Sequence, residues 1–276
     1  MDRYEVIGNP VSHSRSPWIH SRFALQTGQS IEYQRHEVVP EQFEEEVHHF
    51  FMTGGCGLNI TLPFKERACA LTTQRSPRVE MAGAANTLGY TAGVLWADNT
   101  DGVGLVRDLA ENLRVPLRGA RVLLLGAGGA ARGVVQPLLE AGVAMLDIIN
   151  RSPIRARELV SEISSRMVGA QAVIQAYGWD DLPQQPYDVV LNATATAVTG
   201  SMPDLPATLF TSRTLAYDLG YGSGMTPFMM RARERGADWV VDGLGMLVEQ
   251  AAESFFLWRG VRPETMTVLQ DLRSSL

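Results

Sequence analysis

Apolar residues recur along this chain in two periods, every second position in short runs and every third or fourth in longer ones, and the two kinds of run alternate. "YEVIG" (4–8) and "IEYQRHEVV" (31–39) read as strands. "GLNITLP" (57–63) reads as a third, with Leu58, Ile60 and Leu62 on one face and Asn59 and Thr61 on the other. Between them, "SPWIHSRFALQTG" predicts a helix that opens at Pro17, with Ser16 as its cap. "EQFEEEVHHFF" predicts an acidic amphipathic helix burying Phe43, Val47, Phe50 and Phe51. Pro63 suits a first helical position, so the third strand should run straight into a helix with Lys65 in its first turn.

A second series begins at "ARVLLLGAGGAARGVVQPLLEAG", a continuous apolar strand of the kind buried on both faces in a parallel sheet, followed by a glycine-rich turn and a helix. Further strands are expected at "AMLDIIN", "QAVIQAY", "YDVVLNA", "TLAYDL" and "DWVV", with helices such as "SPIRARELVSEIS" and "TPFMMRARERGA" between several of them. That order predicts a doubly wound sheet. The amphipathic helix "MLVEQAAESFFLWRG" follows the sixth strand and is expected to return to the first domain. The chain therefore reads as α/β in two domains, the first over 1–102 and a doubly wound, Rossmann-type domain over 103–242, with C-terminal helices over 243–276 packing back on the first.

Composition narrows the function. With 276 residues, 45% hydrophobic and 20% charged, the chain affords a substantial core, and its net charge of -6 argues against a nucleic-acid or anionic-membrane surface. A local basic pocket for a small anion stays open. The two cysteines, Cys56 and Cys69, form no CxxC pair, and His48 and His49 have no partner at zinc spacing, so neither a disulfide framework nor a metal site is expected. No apolar run approaches the roughly 20 residues that span a bilayer. A cytoplasmic monomer or homodimer is the expectation.

The second half carries the clearest chemistry. Gly126, Gly128 and Ala131 match G-x-G-x-x-G/A between a strand and a helix, so Gly126, Ala127, Gly128, Gly129 and Ala130 are expected to cradle a pyrophosphate on backbone N–H groups. At the end of the next strand, "IINRSPIRAR" offers no carboxylate for a ribose 2'-hydroxyl. Asn150, Arg151, Ser152 and Arg155 surround the place of a 2'-phosphate, which selects NADP. Ser152 before Pro153 also reads as an ordinary helix cap.

In the first half, Ser14 and Ser16 stand beside a helix start, where two hydroxyls and helix N–H donors suit a small carboxylate. Asn59, Thr61, Asn86 and Asp101 add neutral donors and acceptors and one acid. Lys65 is the odd member. A cation at a helix N-terminus is disfavoured by about 0.3 to 1 kcal/mol, so its position reads either as a tolerated surface lysine or as a proton carrier oriented by a neighbouring aspartate. The whole set suits a small polyhydroxylated acid.

"GNPVSHSRSP", "GLNITLPFK", "GAANTL", "NTDG", "GAGGAAR", "NRS", "NAT", "DLGYG", "TPF" and "DGLGMLVEQAAESFFLW" occur in this order, and over essentially its whole length the chain resembles the shikimate dehydrogenases. The resemblance implies reversible, NADP-dependent reduction of 3-dehydroshikimate to shikimate, on the route to chorismate and the aromatic amino acids. It implies Lys65 and Asp101 as the catalytic pair, and Ser14 and Ser16 on the substrate carboxylate. Asn59, Thr61, Asn86 and Gln250 would surround the ring, and Tyr221 would sit near the carboxylate or the domain cleft. Thr194 and Gly243 would join the cofactor set. The family pattern is broken at Ala197, where glycine is common. The alternatives are a quinate/shikimate dehydrogenase that uses NAD and a non-catalytic NADP-responsive binding module.

Overall fold

The computed structural model describes residues 1–194, 205–222 and 224–275, and Ala197 lies outside them. Two compact units result, one of residues 1–105 and 247–275, the other of 106–246.

The first unit is built on a mixed sheet of β1 (Asp2–Gly8), β2 (Ile31–Glu37), β3 (Gly55–Ile60), β4 (Gln74–Arg75), β5 (Thr87–Thr91) and β6 (Val94–Asp98), in the order β2-β1-β3-β5-β6-β4. β1 pairs in parallel with β2 and β3, whereas β5 runs antiparallel to both β3 and β6. The β5–β6 hairpin is absent from the sequence expectations for a physical reason. Its turn places Ala92 (φ 52) and Gly93 (φ 83) in the left-handed region, and an alanine there gives no signal of the Asn-Gly kind.

Helices α1 (Ser16–Thr27), α2 (Phe43–Met52), α3 (Lys65–Leu71) and α4 (Pro77–Ala82) complete this half up to residue 100. α2 buries Phe43, Val47, Phe50 and Phe51, and the Phe43 ring stacks on Phe64 at 4.6 Å. Three local expectations need correction. α3 begins at Lys65 rather than Pro63, because Thr61–Phe64 first form a turn closed by Phe64 N–H to Thr61 O at 3.0 Å. Leu62 leaves the apolar face, since the strand ends at Ile60, and it is exposed. Ser16 is the first helical residue of α1 and not its cap, Arg15 standing at the cap position without a side-chain bond.

The second unit holds a six-stranded, wholly parallel sheet of β7 (Arg121–Leu125), β8 (Met145–Ile149), β9 (Ile174–Tyr177), β10 (Val189–Asn192), β11 (Leu215–Asp218) and β12 (Trp239–Val241). Its order is β12-β11-β10-β7-β8-β9, reversing at β7, the doubly wound arrangement. α6 (Gly129–Glu140), α7 (Pro153–Arg166) and α8 (Pro227–Glu234) belong to it.

The unit boundaries fall inside two helices, α5 (Asp101–Arg107) and α9 (Leu244–Arg259), after Leu105 and Met246 respectively. The expected boundaries at 102 and 242 lie three and four residues earlier. From Leu247 on, α9 belongs to the first unit, as does α10 (Met266–Ser274). Trp258 lies over Gly57, where a Cβ would come within 2.5 Å of the indole, and its Nε1 donates to Leu88 O at 3.0 Å. Arg78 grips Asp98 with two bonds of 2.8 Å and reaches Glu253 at 3.1 Å, tying β6 to α9. Among the described residues no helix is long and apolar enough to cross a membrane.

Candidate active site

Lys65 opens α3 and Asp101 opens α5, and the lysine ammonium donates to Asp101 Oδ2 at 2.5 Å. An anion at a helix N-terminus is favoured and a cation is not, so the contact with Asp101 explains how Lys65 is tolerated there. Asn99 accepts the Asp101 N–H on its Oδ1 at 3.2 Å and fixes the start of α5. Asp101 is 4% exposed and the Lys65 side chain 12%, and no protein acceptor among the described residues takes the remaining ammonium protons.

Asn86 is the hub around them. Its Nδ2 lies 2.8 Å from Asp101 Oδ1, 2.9 Å from Thr100 Oγ1 and 3.2 Å from Gln250 Oε1. Its Oδ1 accepts Thr100 N–H at 2.8 Å and Thr87 Oγ1 at 2.9 Å. Gln250 reaches this network because Gly104 has no side chain, a Cβ there meeting Gln250 N and Cβ at 2.7 Å. One turn further along α9, Ser254 touches Thr87 at 2.8 Å, Thr100 at 3.1 Å and Asn59 at 3.1 Å. Such a closed set of buried neutral groups rigidifies the aspartate that it holds.

Asn59 is expected to face the ring, yet its amide is engaged within the protein. Its Oδ1 accepts Tyr33 OH at 2.7 Å, and its Nδ2 has Asn86 O, Thr87 and Ser254 within 3.3 Å. Thr61 is the opposite case, half-buried with a hydroxyl that makes no hydrogen bond among the described residues, its methyl lying where a Cβ on Gly8 would be. Ser14 and Ser16 are both buried, with hydroxyls 3.2 Å apart, and Ser14 Oγ accepts the Ser16 N–H at 3.3 Å. Arg35 fastens that turn through Ser14 O at 2.7 Å.

Tyr33, Thr87, Ser254 and His20 escape the sequence reading. Ser254 was detectable, sitting four residues after Gln250 on one helix face. His20 is fully buried, stacked on Tyr33 at 4.2 Å, and neither ring nitrogen has a hydrogen-bond partner among the described residues. Burial pushes its imidazole down to about 3, with nearby Asn59 acting weakly the other way, so it is neutral at physiological pH. Burial likewise lifts the Tyr33 hydroxyl well above the usual tyrosine range.

In the second unit the glycine-rich turn has the shape a pyrophosphate requires. Gly126 has φ 111, and a Cβ there would crowd Ala193 O at 3.1 Å, whereas a Cβ on Gly128 would point into open space. Gly128 stands at the cap position of α6 with no side-chain cap bond, leaving the first-turn N–H groups, those of Gly129 and Ala130 among them, without a capping side chain. Ala127 is buried under the turn. These features fit a bound dinucleotide phosphate.

After β8, Arg151 and Arg155 are exposed, and Asn150 Nδ2 donates to Ser152 O at 3.0 Å. Ser152 takes the cap position of α7, but its hydroxyl makes no capping bond. Thr194 follows β10, with its N–H and hydroxyl on Asn192 Oδ1 at 3.2 and 2.6 Å. Gly243 N–H donates to Gly220 O at 2.9 Å, and Tyr221 lies three residues past β11, half-buried. Among the described residues no group of His, Cys, Asp and Glu could hold a metal ion.

Comparison with known proteins follows the same division. Residues 6–88 match a family described as shikimate dehydrogenase substrate binding domain, 108–199 one described as shikimate/quinate 5-dehydrogenase, and 243–272 one described as shikimate 5'-dehydrogenase C-terminal domain. The chain is 50% identical over 275 residues to a shikimate dehydrogenase (NADP(+)) of Chromobacterium violaceum, covering 100% of this chain and 99% of that one. It superposes on an Ael1 enzyme from Pseudomonas putida with a TM-score of 0.89 and 46% identity, over 99% and 98% of the two chains. Its TM-score is 0.84, at 32% identity and full coverage of both chains, with the shikimate 5-dehydrogenase of Thermus thermophilus in complex with NADP(H) and shikimate.

Proposed function

The chain belongs to the shikimate dehydrogenase family, and on that premise we propose that it catalyses the reversible NADPH-dependent reduction of 3-dehydroshikimate to shikimate in the cytoplasm, within the route to chorismate and the aromatic amino acids. The observation that carries this reading is the 2.5 Å contact of Lys65 with Asp101 inside a buried ring of neutral polar groups.

NADPH, when bound, supplies the hydride to the carbonyl carbon of the substrate, and NADP accepts it in reverse. Lys65 is the group that moves the proton. Its ammonium is held by Asp101 Oδ2, while protons without a protein acceptor are available to the carbonyl oxygen as negative charge develops there. In the oxidative direction the same nitrogen takes the proton from the substrate hydroxyl. Asn86 holds Asp101 Oδ1, which keeps the carboxylate from following the lysine away from the substrate.

Ser14 and Ser16 bind the substrate carboxylate. Thr61, Asn86 and Gln250 meet the ring hydroxyls, and Asn59 sets the frame through Tyr33 and Ser254. Arg151 and Arg155, with Asn150 and Ser152, hold the 2'-phosphate, because exposed guanidinium groups and an uncommitted cap hydroxyl stand where a carboxylate would select NAD. Gly126–Ala130 take the pyrophosphate, and Thr194 and Gly243 the nicotinamide end.

The test is the initial rate of absorbance change at the nicotinamide band with shikimate or quinate and NADP or NAD, in all four combinations. A dominant rate with shikimate and NADP is expected. Comparable quinate or NAD rates would move the assignment to a quinate/shikimate dehydrogenase, and silence in all four would favour a binding module.

A further inference from the structure

The second unit buries an aspartate that the mechanism above does not use. Asp218 ends β11, is 1% exposed, and accepts hydrogen bonds from Asn192 Nδ2 at 3.0 Å, Gly220 N–H at 3.0 Å and Thr226 Oγ1 at 2.6 Å. All three donors are neutral. No cation lies within ion-pair distance of it among the described residues, and the charged group that faces it is Asp242, of the same sign. A carboxylate buried with neutral donors alone is costly, and burial does raise its carboxyl above the ordinary range.

Its place in the sheet gives the cost a purpose. The candidate pyrophosphate cradle follows β7 and the candidate 2'-phosphate arginines follow β8, so the other end of a bound cofactor would lie on the opposite side of β7, over the carboxyl ends of β10 and β11. Three loops meet Asp218 at that edge. Asn192 joins it to Thr194, Gly220 joins it to Gly243, and Thr226 caps α8 by accepting Met229 N–H at 3.2 Å. Resting on the NADP reading, we propose that Asp218 is a positioning residue for the nicotinamide half of the cofactor, and that its buried charge favours the oxidised form over the reduced one. Only the oxidised ring carries a positive charge, so a fixed anion beneath it discriminates between two ligands that are otherwise alike.

Asp218→Asn removes the charge and keeps the shape. The Asn oxygen accepts from Asn192 and Gly220, and Thr226 can turn its hydroxyl to accept from the new amide. Dissociation constants for NADPH are read from its fluorescence and those for NADP+ by displacement, on wild type and variant. NADP+ is expected to weaken about tenfold while NADPH moves less than about threefold. Equal weakening of both forms, or of neither, overturns the proposal.

Should the variant not fold, the ratio of the two wild-type constants decides. NADP+ is expected to bind more tightly than NADPH, in Asp242→Asn as in wild type, since the 2'-phosphate is common to both forms. Equal or reversed affinities overturn the proposal. Wild type that binds neither form overturns the NADP reading itself, whereas binding of both without discrimination overturns only the role of Asp218.

Discussion

Asp101 and Asp218 are both nearly inaccessible carboxylates at or just beyond the end of a strand, and both are gripped by asparagine, Asn86 in one unit and Asn192 in the other. They differ in one partner. Asp101 has a lysine ammonium at 2.5 Å and Asp218 has a threonine hydroxyl at 2.6 Å. A cation that can part with a proton turns a buried carboxylate into half of an acid–base pair, while a neutral donor leaves it a fixed charge. In the proposed mechanism the two units use the same polar frame for different tasks.

Lys65→Ala breaks the comparison most severely, by making Asp101 resemble Asp218. We expect kcat to fall about 100-fold or more with a much smaller change in the KM for shikimate, because the lost proton transfer belongs to the transition state. Steady-state kinetics check this, and a raised KM with near-normal kcat would reduce Lys65 to a binding residue.

Arg151→Ala acts on the cofactor side alone. Loss of a charge-assisted contact to a phosphate that only NADP carries should weaken NADP by about tenfold or more and leave NAD nearly unchanged. Titration of both cofactors checks it, and equal losses would separate Arg151 from the 2'-phosphate.

A third difference concerns acid. All five histidines lie in the first 49 residues, and among them His20 is the one that burial lowers to about 3. Its ordinary value is near 6.5, so below that pH the unfolded chain takes up a proton that the folded chain refuses, and stability falls as pH falls. Between pH 6.5 and pH 5 this amounts to about 2 kcal/mol. His20→Phe, which preserves a flat ring against Tyr33, should remove that part of the acid sensitivity. Urea unfolding at pH 7 and pH 5 measures it, and an unchanged difference between the two pH values would count against His20 as its source.

Legibility also divided by unit. The parallel sheet of the second unit was readable strand by strand, because strands buried on both faces leave continuous apolar runs such as Val122–Leu125 and Val189–Leu191. The mixed sheet of the first unit was half readable. β5 carries Gly89 and is flanked by Asn86 and by the Ala92–Gly93 turn to β6, which weaken the strand and turn signals, and the two-residue β4 is too short to show a period.

The site follows the same rule. Lys65 stands out as a cation at a helix N-terminus, whereas Asn86 and Asp101 are unremarkable singly and gain weight only as members of the set. Gln250 was reached through the family resemblance. Tyr33 was hidden because its role depends on a contact 26 residues away in sequence. Ser16 and Pro63 misled because a capping motif describes only the local chain, and here the turns on either side moved each helix start by one or two residues.

The most direct test of the central claim, that Lys65 carries the proton, is the rate of Lys65→Ala in the presence of added methylammonium. A saturable recovery of kcat with amine concentration is expected, absent from wild type under the same ionic strength. A rate that stays flat across the series, in a variant that still binds shikimate and NADP normally, would contradict it.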